Sequence, residues 1–140
     1  MSEGNSTSHR RILLVEDDEG VRKLVEKLLE KGGYTVTGVG LAGECLKRLS
    51  ESTFDLILLD HVLPDMDGLL LLQLVRRRLG TSQKPVVYLT GIADDTTKRR
   101  AFEIGVDDYV LKPFDPSDFM ARVARQIGLK DQHSAGSEEK

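Results

Sequence analysis

Four apolar runs in this chain each end on residues able to do chemistry. Ile12 to Val15 leads into Glu16, Asp17 and Asp18; Phe54 to Leu59, broken only by Asp55, leads into Asp60; Val86 to Leu89 leads into Thr90; Tyr109 to Leu111 leads into Lys112. Carboxylates gathered within a few ångströms repel one another, and their pKa values rise unless a cation lies among them. An all-oxygen donor set without His or Cys suits a hard divalent ion, Mg²⁺ or Mn²⁺, rather than zinc. Lys112 adds a fixed positive charge and Thr90 a hydroxyl. Such a pocket fits a phosphoryl group, whose charge needs neutralising on every side. A carboxylate can itself act as nucleophile and form an acyl phosphate, and Asp60 is the candidate because its run reads as the central strand. Taken singly, each group has an ordinary reading: acids at a helix start, a turn hydroxyl, a surface lysine.

For these groups to meet, the runs must be neighbouring strands of one sheet. In an open α/β sheet, ligands gather at the carboxyl ends of the strands. The segments between the runs read as helices. Val21, Leu24, Val25, Leu28 and Leu29 recur at helical spacing before Gly32-Gly33 stops them. Ala42, Cys45, Leu46 and Leu49 trace a second stripe. A third helix spans about Asp67 to Leu79, with Leu69 to Leu72 covering more than one face and Arg76-Arg77-Arg78 read as a solvated end that suits the helix dipole. A fourth, near Asp94 to Ile104, has only a thin stripe of Thr97, Ala101 and Ile104. The last starts at Pro116 and is expected to bury Phe119, Met120, Val123, Ala124 and Ile127.

Tyr34 to Val39 adds an edge strand, so strand and helix alternate five times. The fold class is therefore α/β, a (βα)5 doubly wound five-stranded parallel sheet in the flavodoxin-like order 2-1-3-4-5. In that order the first, third, fourth and fifth strands are consecutive, about 4.8 Å apart, and their four chemical termini face one pocket.

The chain has 140 residues, which bounds it to one domain. Residues 1–9 and 131–140 are polar and read as disordered tails, leaving a folded unit at 10–130. A net charge of −3 lacks the basic excess of a nucleic-acid binder. The single cysteine, Cys45, excludes an internal disulfide and lies on an apolar stripe, as a buried structural thiol does. No apolar run reaches the ~18 residues that span a bilayer, and no secretory signal precedes Arg10, so a cytoplasmic location is expected.

Four stretches, LLVEDDEGVR, FDLILLDHVLPDMDG, VVYLTG and GVDDYVLKPF, occur in an order and at separations that closely resemble the receiver domain of two-component response regulators, over residues 11 to about 128. The resemblance implies Asp60 as phosphoacceptor, receiving its phosphoryl group from a sensor histidine kinase, a phosphotransfer protein or a small phosphodonor. It implies Mg²⁺ held by Asp17 and Asp60, by Glu16 through water, and by the backbone carbonyl of Val62. Lys112 pairs with the phosphoryl group, Thr90 bonds to it, and Tyr109 turns inward as Thr90 moves. The Lys112–Pro113 bond is implied to be cis. Anchoring the first motif on Arg22 leaves Asp18 outside the set.

Val62 and Ile92 are apolar where the resemblance leads one to expect small polar or acidic groups, which implies slower self-dephosphorylation than in a variant carrying Asn and Glu at those two positions. The output face is expected on the fourth helix, fifth strand and fifth helix, where Lys98, Arg99, Arg100, Asp107, Asp108 and Arg122 suit either a phosphorylation-dependent homodimer or a solvated face. The residues given after Ile127 do not read as an effector domain, so the chain is expected to be either a single-domain regulator acting on an effector protein or part of a longer one. Asp65-Met66-Asp67-Gly68 also looks like the DxDG nucleophile motif of haloacid-dehalogenase-like phosphatases. That motif follows its strand directly, whereas here the strand ends at Asp60.

Overall fold

The computed structural model describes residues 10–80 and 82–139, with side chains described as far as Gly128. Five strands, β1 (Arg11–Val15), β2 (Thr35–Val39), β3 (Leu56–Asp60), β4 (Val86–Thr90) and β5 (Asp108–Leu111), form one parallel sheet in the order β2-β1-β3-β4-β5. Five helices alternate with them: α1 (Glu19–Lys31), α2 (Ala42–Glu51), α3 (Gly68–Leu79), α4 (Asp95–Ile104) and α5 (Pro116–Glu139). The (βα)5 order expected from sequence is the order observed.

The sheet is apolar on both faces because it is covered on both. Leu56 and Leu58 of β3 pack with Val25 and Leu29 of α1 and with Phe119, Val123 and Ile127 of α5. Ile57 and Leu59, pointing the other way, pack with Cys45 of α2, Leu71, Leu72 and Val75 of α3, and Ala101 of α4. Every residue of β3 is buried, which is why its run is continuously apolar instead of alternating. Removing one such leucine side chain costs about 2–5 kcal/mol. Cys45 is fully buried, and burial pushes its thiol up to about 12.

Two expected core residues lie outside. Leu24 is 67% exposed, because Val25 and Leu29 centre the buried face of α1 and one residue is a rotation of about 100°. Ala124 is exposed for the same reason: Phe119, Val123 and Ile127 set the seam of α5, and Gln126 is the further residue that falls into it. The α5 backbone also continues as helix to Glu139, over the segment read from sequence as a tail. That segment contains helix formers (Lys130, Gln132, Ala135) and no proline. The expected N-terminal tail lies outside the described residues.

All five helix starts are closed by aspartates, Asp115 accepting from Asp118 N (2.9 Å) at α5, and one of them is closed from a distance. Asp18, Asp67 and Asp94 cap α1, α3 and α4. Leu41, before α2, offers no side-chain acceptor, and Asp65 of the β3–α3 loop supplies it instead: its carboxylate accepts from Ala42 N (2.9 Å) and Gly43 N (3.1 Å). These bonds hold the Asp65 carboxyl below its usual range. Asp65 and Asp67 are thus both committed to helix ends, and the DxDG reading loses its nucleophile.

Among the described residues, no helix is long and apolar enough to cross a membrane.

Candidate phosphoacceptor site

Parallel register places the ends of β1, β3, β4 and β5 side by side. Val15 lies opposite Leu59, Asp60 opposite Leu89, and Thr90 opposite Leu111. The next residues along, Glu16 and Lys112, therefore arrive at the same rim as Asp60. Lys112 Nζ stands 2.7 Å from Glu16 Oε1 and 3.3 Å from Asp60 Oδ1, although 96 residues separate Lys112 from Glu16. The bond between Lys112 and Pro113 is cis.

Glu16 (2% exposed) and Asp60 (4%) are buried acids, while Asp17 is exposed. One carboxylate oxygen from each of the three lies within 4.8 Å of the others. Burial raises the pKa of Glu16; its bond to Lys112 opposes that, and the charge of Asp60 adds to it. For Lys112 burial acts downward, but its bond to Glu16 and the charges of Asp60 and Glu16 outweigh it, and the net direction is up. The two shifts are consistent with position: Lys112 is 26% exposed and keeps access to water, whereas Glu16 has almost none. One ammonium thus faces more negative charge than it can neutralise, the environment that favours a further cation. The donors are oxygens, which fit a hard divalent ion.

Thr90 is buried, and its hydroxyl accepts from Ile92 N at 3.0 Å. Tyr109 sits beside it with its ring buried and its hydroxyl donating to the Ile92 carbonyl (2.8 Å). The Tyr109 ring packs against the rings of Tyr88 and Phe102, with centroids 5.8 and 6.5 Å away. Val62 is exposed, and its N–H points at Asp60 Oδ1 from 3.4 Å. Asp18 stays outside the cluster as the α1 cap, donating its backbone N–H to Glu16 Oε2 (3.2 Å).

Two features were not legible. Arg76, read as a solvated helix end, turns inward. Its guanidinium donates to Gly105 O (2.8 Å) and Lys84 O (3.2 Å) and pairs with Asp107 at 2.8 Å. Gly105, at φ +129°, leaves the room its side chain occupies. Asp107 also accepts from Val86 N, so it belongs to this tether and not to the outer charged face. His61, directly after Asp60, bonds through Nδ1 to the hydroxyl of Tyr88, a fully buried residue of β4. Nothing in the spacing of arginines or aromatics marks either pairing.

Residues 12–124 match the family model described as "Response regulator receiver domain". The chain belongs to that family: it is a receiver domain of two-component response regulators. It is 39% identical over 114 residues to the phosphate regulon transcriptional regulatory protein PhoB of Klebsiella pneumoniae, covering 81% of this chain and 50% of that protein. To the transcriptional regulatory protein GltR of Pseudomonas aeruginosa it is 36% identical over 118 residues, covering 84% of this chain and 49% of that one. The chain thus spans about half the length of the curated relatives it matches. Among solved structures, a CheY-like receiver domain protein from Methanospirillum hungatei JF-1 superposes with a TM-score of 0.84 at 29% identity, covering 89% of this chain and 98% of that one.

Proposed function

We propose that the chain is a signalling switch that takes a phosphoryl group on Asp60 from the phosphohistidine of a sensor kinase or phosphotransfer protein, or from a small phosphodonor. The observation that carries this reading is the bridge of Lys112 to Glu16 and Asp60, with Asp17 beside them. A carboxylate oxygen of Asp60 attacks phosphorus. The bond from phosphorus to the donor's imidazole nitrogen breaks, and that nitrogen keeps the electron pair. In this reading Lys112 meets the charge on the transferred group and Thr90 donates its hydroxyl to it. Glu16, Asp17, Asp60 and the Val62 carbonyl would hold Mg²⁺, or Mn²⁺ in its place. Such an ion, when bound, neutralises the phosphoryl oxygens. The chain's own chemistry in this reading is limited to this transfer and to hydrolysis of the aspartyl phosphate, which releases inorganic phosphate and restores the Asp60 carboxylate.

The output face in this reading is α4–β5–α5. It is lined by a cleft between Lys98, Leu111, Phe114 and Arg122, with Phe102 and Leu111 about half exposed. Arg122 already pairs with Asp108 inside the protomer (2.9 Å), so a homodimer through this face would exchange that pair or rest on the exposed Lys98, Arg99 and Arg100. A downstream effector, as protein or as attached domain, is the partner we assign to the face, and the setting is cytoplasmic. Mass spectrometry after incubation with acetyl phosphate and Mg²⁺ tests the reading. The parent gains one phosphoryl group and Asp60→Asn gains none. Uptake by Asp60→Asn, or uptake without a divalent ion, overturns it. Equal solution masses for the phosphorylated and unmodified forms overturn the homodimer.

A further inference from the structure

Tyr88 is the largest residue fully buried in the core, and its hydroxyl needs a partner there. It finds one in Nδ1 of His61, the residue that follows the acceptor aspartate. The two rings meet edge to face, with centroids 5.5 Å apart. Leu59 lies opposite Tyr88 in the sheet, so His61, two residues on, projects from the same face, and the Tyr88 ring runs along the strands to reach it. The His61 backbone is pinned as well, its N–H donating to Leu89 O at 3.1 Å. On the third side Gly68 closes the space: a Cβ there would collide with the His61 carbonyl and the Tyr88 hydroxyl. Val62 and Asp67 pair across the loop as an isolated bridge. At the residue after His61, the Val62 N–H faces Asp60 Oδ1 from 3.4 Å.

We propose that Tyr88 is a positioning residue for phosphoryl uptake. Its buried hydroxyl, acting through His61, fixes the backbone after Asp60 and so aims the Val62 N–H at the acceptor carboxylate. The inference rests on Asp60 being the acceptor. For packing alone a phenylalanine ring would serve at this position; what the hydroxyl adds is a polar tie to the acceptor loop.

The test uses the full chain with acetyl phosphate and Mg²⁺, in Tyr88→Phe, His61→Ala and the double variant. Each single change is expected to slow uptake roughly three- to tenfold, the effect of losing one hydrogen bond that supports a site. The double variant is expected to be no slower than the worse single, because both remove one interaction. A second reading, free of phosphorylation, is the amide NMR shift of Val62, which should move in both single variants while the melting curve of His61→Ala stays cooperative. Parental uptake rates in either single variant overturn the proposal, as do losses that multiply in the double. An unmoved Val62 amide in His61→Ala also overturns it, even if Tyr88→Phe fails to fold. Uptake persisting in Asp60→Asn is a separate outcome: it brings down the acceptor reading itself.

Discussion

Replacing Lys112 by methionine removes the only cation bonded to both Glu16 and Asp60 among the described residues, while keeping a side chain of similar length. A unit-charge pair at 4 Å is worth about 4 kcal/mol at an effective dielectric near 20, and much of that is offset by taking the charges out of water. Stranding one member of a buried pair costs about 3–5 kcal/mol. Lys112 is 26% exposed, so water can take over part of its role, and the expected loss without metal at neutral pH is about 2–3 kcal/mol. In urea that moves the midpoint by roughly 1–2 M, with the slope unchanged. Added Mg²⁺ should recover more stability in the variant than in the parent, because a divalent ion among three acids is attracted more strongly once the competing ammonium is gone. Lys112→Arg, which keeps the charge, should lose less than Lys112→Met. Equilibrium unfolding followed by circular dichroism, with and without Mg²⁺, measures all three quantities. A loss below about 0.5 kcal/mol, or an identical Mg²⁺ increment in variant and parent, refutes the charge-balance argument.

Arg76→Ala should cost about 2–3 kcal/mol, since it removes three donor contacts and leaves Asp107 without its cation; a urea midpoint at the parental value counts against the tether. Asp65→Ala should uncap α2 and lower stability by about 1 kcal/mol at neutral pH. Because the folded carboxyl of Asp65 lies below its unfolded value, its contribution is complete above the ordinary aspartate range and disappears as pH falls through the folded pKa. The gap between parent and Asp65→Ala must therefore narrow on acidification, and a constant gap excludes this role. Val62→Asn with Ile92→Glu should speed the decay of the phosphorylated form; an unchanged decay rate, followed by mass spectrometry, rejects the idea that these apolar side chains shield it from water.

The sheet and its chemical rim could be read from sequence because each rests on a local pattern with one consequence. A run such as Leu56 to Leu59 has no stable place except between two helical layers, and the order of the sheet then forces Glu16, Asp60 and Lys112 together. Readings failed where the outcome depends on rotation or reach. Three consecutive arginines look alike, yet only Arg76 faces the space left by Gly105. Leu24 belongs to an apolar repeat, but the helix turns it away from the centre of the face. The cap of α2 comes from Asp65, 22 or more residues along the chain, which no window around Leu41 contains. Tyr88 reads as one more strand residue until its hydroxyl is followed to His61.

Helix α4 has a single fully sheltered side chain, Ala101, while α3 roots itself through Gly68, Leu71, Leu72 and Val75. Little apolar area is uncovered if α4 slides or lifts, so its displacement lies within reach of the free energy of a few hydrogen bonds. The Arg76–Asp107 tie grips the chain just past its far end with a charged pair, whereas the end at Asp94 is held to the rest of the fold by the neutral bond from Tyr109 to the Ile92 carbonyl. Motion of this element is then a swing about a fixed heel rather than a release, and amide protons at its front turn should exchange well before those at its back.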